Sequence, residues 1–329
     1  MSENRAFFRE TVEQILADTL DQSRIEASEQ RTLPAALYEA LEENGVTRML
    51  VPEGQGGIGA DIGDSFAILR AMGAAAAPGP IVETMLGNKL LAEAGLDPAD
   101  GLIALAFADD GAAMLHAVPW GGGVDHVLAV TPSGISLSAS ANWDIEPALD
   151  AADEPRDTLR GSLGAIVALD TSAALRTAAI LRAGQMLGAI EWTLARSIDY
   201  AGERKQFGRE ISKFQVIQQM LAELAAHMLA SAGIAEAAAD AASETLIAAA
   251  RSRLGDAADA AIGIGHQVHG AMGFSKEYAL NHRTRRLMAW RDDFGSVQFW
   301  RRRLAGGFVT CSREEFWPAI ADAGNRRAA

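Results

Sequence analysis

The hydrophobic periodicity of this 329-residue chain changes twice, and few folds accommodate that order. Residues 5–20 place Phe8, Val12, Ile15, Leu16 and Leu20 at helical spacing, and 33–46 repeat the pattern with Leu33, Leu37 and Leu41 before a stop at Gly45. Helices over about 61–75 and on to about Ala94 complete an all-helical first hundred residues. From Leu102 to Leu169 the apolar runs shorten to Leu102–Phe107, His126–Val130, Ile135–Leu137 and Leu163–Leu169, separated by turns such as Pro132-Ser133-Gly134. That spacing predicts a small antiparallel β module. From Thr171 the helical period returns, to about Tyr200, then over about 214–240 and 246–272, with shorter helices near 281–291 and 296–304. The expectation is a mostly α protein with a small β middle domain: a helical domain over 1–100, a β module over 101–170, a four-helix bundle over 171–318 and a flexible tail over 319–329.

Composition narrows the function classes. A formal charge of −14 argues against general nucleic-acid binding, which needs a basic face. Cys311 is the only cysteine, so an internal disulfide and cysteine-rich metal sites are excluded. No apolar run reaches the roughly 18 residues of a membrane span. The start, Met1-Ser2-Glu3-Asn4-Arg5, reads into an amphipathic helix rather than a signal sequence, and a cytoplasmic protein is the expectation. Aromatic content of 6% with abundant Ala favours closely packed helices.

The joint between the first two bundle helices carries the most chemistry. Arg204-Lys205-Gln206-Phe207-Gly208-Arg209 packs three cations, an aromatic and a glycine ahead of a new helix at Phe214-Gln215. Fixed positive charge beside a helix N-terminus suits a phosphate, although a salt-bridged turn reads the same way. Seven arginines between Arg283 and Arg303 are either paired with carboxylates or form an anion site or subunit seam. Gly263, Gly265, Gly270 and Gly273 imply close approach of another helix or of a flat ligand, because glycine costs about 1 kcal/mol per helical position. His266 and His269 lie one turn apart, but no carboxylate joins them to complete a metal site, and none is expected. Gly54–Gly59 spells Gly-x-Gly-x-x-Gly, yet it lacks the preceding strand of a dinucleotide fold and reads as a loop. Asp292-Asp293 could supply a base or form a solvent face.

Together these segments resemble the acyl-CoA dehydrogenase family along nearly the whole chain. The resemblance is carried by Arg204-Lys205-Gln206-Phe207-Gly208 with Phe214-Gln215, by Gln267-Val268-His269-Gly270-Ala271-Met272-Gly273-Phe274, by Arg285-Arg286 with Phe294-Gly295-Ser296, and by Val51-Pro52-Glu53 with Gly56-Gly57. It implies FAD at a subunit interface. Arg204, Gln206, Phe207, Phe214 and Gln215 would face its diphosphate and adenine, and Gln267, Gly270 and Ala271, with Ser296 and Gln298, would approach from another part of the dimer. It further implies α,β-dehydrogenation of an acyl-CoA thioester, with electrons passing to an electron-transfer flavoprotein. The chain departs from the family at the base: Phe294 holds the place of the usual Glu, and Ala178 and Ala179 hold the alternative one. Asp293 is the remaining candidate. The middle domain also lacks the family's flavin-ring segments, reading Ala141-Asn142-Trp143 where Trp-Ile-Thr-Asn is usual. Such a pattern resembles the short subunits of heteromeric acyl-CoA dehydrogenases. The implied assembly is a homo-oligomer or a heterotetramer with a full-length homologue, and the alternative role is a non-catalytic subunit supporting that partner.

Overall fold

The structure, a computed structural model, describes residues 3–322. The chain divides into two compact units, one of residues up to 65 together with 77–178, the other of residues 66–76 together with those from 179 on. Helical N- and C-terminal regions flank a small mixed β module.

In the first unit, helices α1 (Glu3–Thr19), α2 (Gln22–Ser28), α3 (Ala35–Glu43), the first turn of α4 (Ile62–Ala74) and α5 (Ile81–Glu93) precede the strands. Periodicity misses α2 because seven residues hold only two turns. Its start is fixed instead by Asp21, whose carboxylate accepts the Arg24 N–H at 2.9 Å. The Gly54–Gly59 stretch is a loop closed on itself: the Gly59 N–H donates to Val51 O at 2.8 Å, and a Cβ on Gly57 would lie 2.1 Å from that same oxygen. Helix α5 is buried on nearly every side, so its polar residues need internal partners. Thr84 supplies one, accepting the Ile103 N–H at 3.1 Å and donating to Ile103 O at 3.3 Å. Asn88 bridges Thr47 O and the Ala99 N–H.

Strands β1 (Ile103–Phe107), β3 (His126–Thr131), β4 (Gly134–Ala139) and β7 (Val167–Ala168) form one sheet in the order β1-β3-β4-β7. Strands β2 (Met114–Pro119), β6 (Arg156–Arg160) and β5 (Asp144–Glu146) form a second. The expected all-antiparallel module is corrected at one pair, since β1 and β3 run parallel. Intervening β2 belongs to the other sheet, and two reversals return the chain in its original direction. The core between the sheets holds Ala104, Leu115, Val118, Val127, Trp143 and Leu159. Trp143 is therefore a core residue, its indole N–H donating to the Ser138 hydroxyl at 2.9 Å.

The second unit contains the bulk of α4 and of α6 (Ala174–Glu203), with α7 (Gln215–Ala241), α8 (Glu244–His269), α9 (Ala279–Trp290), α10 (Val297–Gly306) and α11 (Arg313–Asp322). Between α6 and α7 lies a two-stranded ribbon, β8 (Lys205–Gln206) and β9 (Arg209–Glu210). Helices α7 and α8 are joined by only Ala242 and Ser243 and pack along each other, while α8 also meets α9 and α10. The tightest helix approach involves glycines: a Cβ on Gly188 would lie 1.8 Å from Arg70 O, and one on Gly73 2.0 Å from Gln185 O. Arg70 then reaches Glu191 at 2.7 Å and Glu236 at 2.6 Å. The stretch expected as a tail from 319 begins inside α11, and residues 323–329 lie outside the described residues.

Candidate functional site

The ribbon after α6 forms because two central residues accept positive φ. Phe207 (φ 51°) and Gly208 (φ 80°) connect β8 to β9, as a two-residue hairpin turn requires. Glycine enters that region freely, whereas a phenylalanine there is strained. Phe207 is also 91% exposed, and its one ring contact among the described residues is an edge contact with Phe214, centroids 6.2 Å apart. The turn thus holds an aromatic ring in water on a strained backbone.

Among the described residues both carboxylates of this hinge are ion-paired, whereas Arg204 and Arg209 have no carboxylate partner. Glu203 takes Arg196, Glu210 takes Lys205 at 3.9 Å, and Arg209 stacks over Phe214 at 4.3 Å. Arg204 has no anionic partner among the described residues, and its backbone is fixed by the Arg204 N–H to Tyr200 O (2.9 Å) and the Ile211 N–H to Arg204 O (2.8 Å). It lines a pocket of about 680 Å³, together with Gln206, Phe207 and Phe214. The opposite wall is the C-terminal end of α8, where Gln267, Gly270 and Ala271 sit. Two groups expected to act from different parts of a dimer therefore meet on one chain.

The four glycines divide by role. Cβ atoms on Gly265 and Gly273 would lie 3.0 Å from Thr193 Cγ2 and 3.1 Å from His269 Cβ, so these two serve helix packing. Gly263 and Gly270 face open space, and Gly270 ends α8 at φ 59°, which leaves its backbone accessible to a ligand. A second depression of about 590 Å³, lined by Gly263, His266, Asn281 and Arg285, shares the Gln267–Ala271 ridge.

Three expected contacts fall elsewhere. Gln215 is exposed at the start of α7 and does not line the pocket. Ser296 caps α10, its hydroxyl accepting the Phe299 N–H at 3.2 Å, and Gln298 is exposed on that helix. Conversely, Tyr200 and His269 line the pocket without having been singled out as contacts. Tyr200 was legible as the residue one turn before Arg204, on the same helix face.

His269 is 3% exposed and stacked on Tyr200, with centroids 4.4 Å apart. Its Nδ1 bonds Gly265 O at 2.8 Å, which fixes the proton there. His266 is stacked on Phe274 and bonded through Nε2 to the Thr284 hydroxyl at 3.0 Å. Burial lowers the pKa of both imidazoles, with Arg196 and His266 adding to the effect on His269. Because the folded values lie below the unfolded one, this stability is present above about pH 6.5 and lost as pH falls through the folded values. The thermal midpoint should drop on acidification below about pH 6.5, and His269→Phe should flatten that drop. An unchanged pH profile in that variant would contradict the assignment.

The Asp293 region is built differently. Beyond the end of α9, Arg251 donates to the carbonyls of Trp290 (3.3 Å), Arg291 (3.1 Å) and Asp293 (2.7 Å). Burial lowers its pKa to about 10. The Asp293 carboxylate is turned inward, 10% exposed, and lies 3.2 Å from Nε of Arg182, which is 3% exposed. The Arg182 guanidinium in turn lies 5.6 Å from the Trp290 and Phe294 ring centroids. The Asp293 carboxylate is thus engaged by a buried guanidinium of its own unit. Ala178 and Ala179 are fully buried and bring no acid nearby.

Comparison with known proteins agrees with this architecture. The acyl-CoA dehydrogenase N-terminal domain is matched over residues 2–98 and the C-terminal domain over residues 169–305, together well over half of the chain. The chain belongs to the acyl-CoA dehydrogenase family. It is 27% identical over 285 residues to acyl-CoA dehydrogenase IpdE2 of Mycobacterium tuberculosis, covering 85% of this chain and 89% of that one. Acyl-CoA dehydrogenase FadE34 of the same organism is 29% identical over 293 residues, covering 82% of this chain and 41% of that protein. In fold it resembles a subunit of the ChsE4–ChsE5 complex from Mycobacterium tuberculosis, with TM-score 0.85, 19% identity, and coverage of 95% and 99%. No helix among the described residues is long and apolar enough to cross a membrane.

Proposed function

We propose that this chain is a flavin-binding acyl-CoA dehydrogenase subunit, engaged in α,β-dehydrogenation of an acyl-CoA thioester as the short member of a heteromer. The observation that carries the reading is Arg204: an ion-pair-free guanidinium lining a pocket whose far wall is an open glycine backbone. This donor set fits a dinucleotide diphosphate, with Arg204 on the phosphates, the Gly270–Ala271 backbone beside them, and Phe207 and Phe214 flanking the adenine. Ser296 and Gln298 belong to the same reading, as contacts outside this pocket, and Gln215 as one reached from the α7 end. Bound FAD supplies the two-electron acceptor that takes the substrate β-hydrogen as hydride.

Removal of the α-proton needs a carboxylate, and here Phe294 stands in the usual place while Asp293 faces Arg182. That arrangement favours a partner that supplies the base over a self-sufficient enzyme. The name of the ChsE4–ChsE5 complex points the same way. The partner would be a full-length homologue, the electron acceptor an electron-transfer flavoprotein, and the compartment the cytoplasm. Purified alone, the chain should bind FAD and show a flavin spectrum, with no acyl-CoA-dependent reduction of an acceptor dye. Turnover should appear on mixing with a full-length acyl-CoA dehydrogenase from the same source. Absence of FAD binding both alone and in the mixture would overturn the reading.

A further inference from the structure

The hinge contains two carboxylates beside its three cations, and each carboxylate is occupied by a cation other than Arg204. Glu210 is taken by Lys205. Glu203, immediately before Arg204, is taken by Arg196 from two turns earlier on α6, through NH1–Oε1 and NH2–Oε2 contacts of 3.2 Å each. Arg196 is anchored independently of Glu203. Its Nε donates to the Tyr278 hydroxyl at 3.0 Å, and its guanidinium lies 6.0 Å from that ring's centroid. The clamp holds both groups in their charged forms, lowering the Glu203 pKa and raising that of Arg196.

We propose that Arg196 is an electrostatic positioning residue for the anion site: by holding Glu203 it keeps the neighbouring Arg204 available to a ligand diphosphate. This rests on the dinucleotide reading above. Without Arg196, the Glu203 carboxylate, 63% exposed, is a free anion one residue from an unpaired guanidinium. It can then pair with Arg204 or stand as negative charge beside the phosphates, and either weakens binding. Arg196 touches no ligand in this scheme and does not line the pocket.

The test is FAD titration of the purified chain at low and at high salt, with Arg204→Ala as the control for the anion site. Arg196→Met should weaken FAD binding about three- to tenfold at low salt, the size expected of a partly screened surface charge, and less at high salt. Glu203→Gln in the Arg196→Met background should restore affinity to within about twofold, a rescue that a structural role for Arg196 would not give. Arg196→Lys, which keeps a cation beside Glu203, should bind FAD like the unmodified chain. Unchanged affinity in Arg196→Met, or a double variant as weak as the single one, would overturn the inference. If Arg204→Ala loses FAD while Arg196→Met does not, the anion site stands and this inference falls. If the unmodified chain binds no FAD either alone or mixed with a full-length partner, both fall.

Discussion

Arg204→Ala is expected to strip the chain of FAD. Hydrogen bonds to a charged group contribute about 1.5–3 kcal/mol, which corresponds to a loss of roughly ten- to over a hundredfold in affinity. The stability of the chain itself should barely move, within about 0.5 kcal/mol, because the Arg204 side chain is exposed and has no anionic partner among the described residues. This separation makes the experiment decisive: flavin per chain should fall while the thermal midpoint of the apo form stays put. Arg204→Lys should fall between the two, since a point charge keeps the attraction but loses the planar fork. Undiminished flavin content in Arg204→Ala would remove the anion site from the account altogether.

Asp293→Asn should show the opposite profile, with a large cost in stability. The substitution removes the anionic charge facing Arg182, itself 3% exposed, and breaking a buried ion pair from one side costs about 3–5 kcal/mol. Replacing both partners by apolar residues, Arg182→Met with Asp293→Leu, should recover much of that loss, because the rings of Trp290 and Phe294 already line the space. Denaturant unfolding of the two single variants and the double one measures the coupling directly. The same series bears on catalysis. A folded Asp293→Asn chain that still turns over, alone or in an assembly, cannot be using this carboxylate as its base. If instead the single variants unfold no more readily than the parent, the pair is not the buried linkage seen here.

Much of this organisation was legible in the residues. The long helices announced themselves through runs such as Phe8, Val12, Ile15 and Leu16, and the hinge through its density of cations and its Phe-Gly turn. What periodicity could not reach were elements held by polar side chains. Strand β6 turns Asp157 inward, where the carboxylate accepts from Arg31 at 2.7 and 2.8 Å and from the Gly122 N–H at 2.9 Å, so no apolar alternation marks it. Strand β2 breaks its own alternation at His116 and Ala117, where the register shifts and Ala117 has φ 52°. The close packing of Gly73 and Gly188 was hidden for another reason: which glycine meets a neighbouring backbone depends on a helix more than a hundred residues away. Within the candidate site, cation density singled out Arg204 and the family resemblance Gly270, but neither could say that both would line one pocket of a single chain, nor that Asp293 would turn toward Arg182.

The ring of Phe207 carries a consequence for any attempt to stabilise the isolated chain. An asparagine or glycine would sit more comfortably at φ 51°, and among the described residues the only ring the phenyl group meets is an edge of Phe214. A screen that rewards only the ruggedness of the isolated chain would replace this residue early.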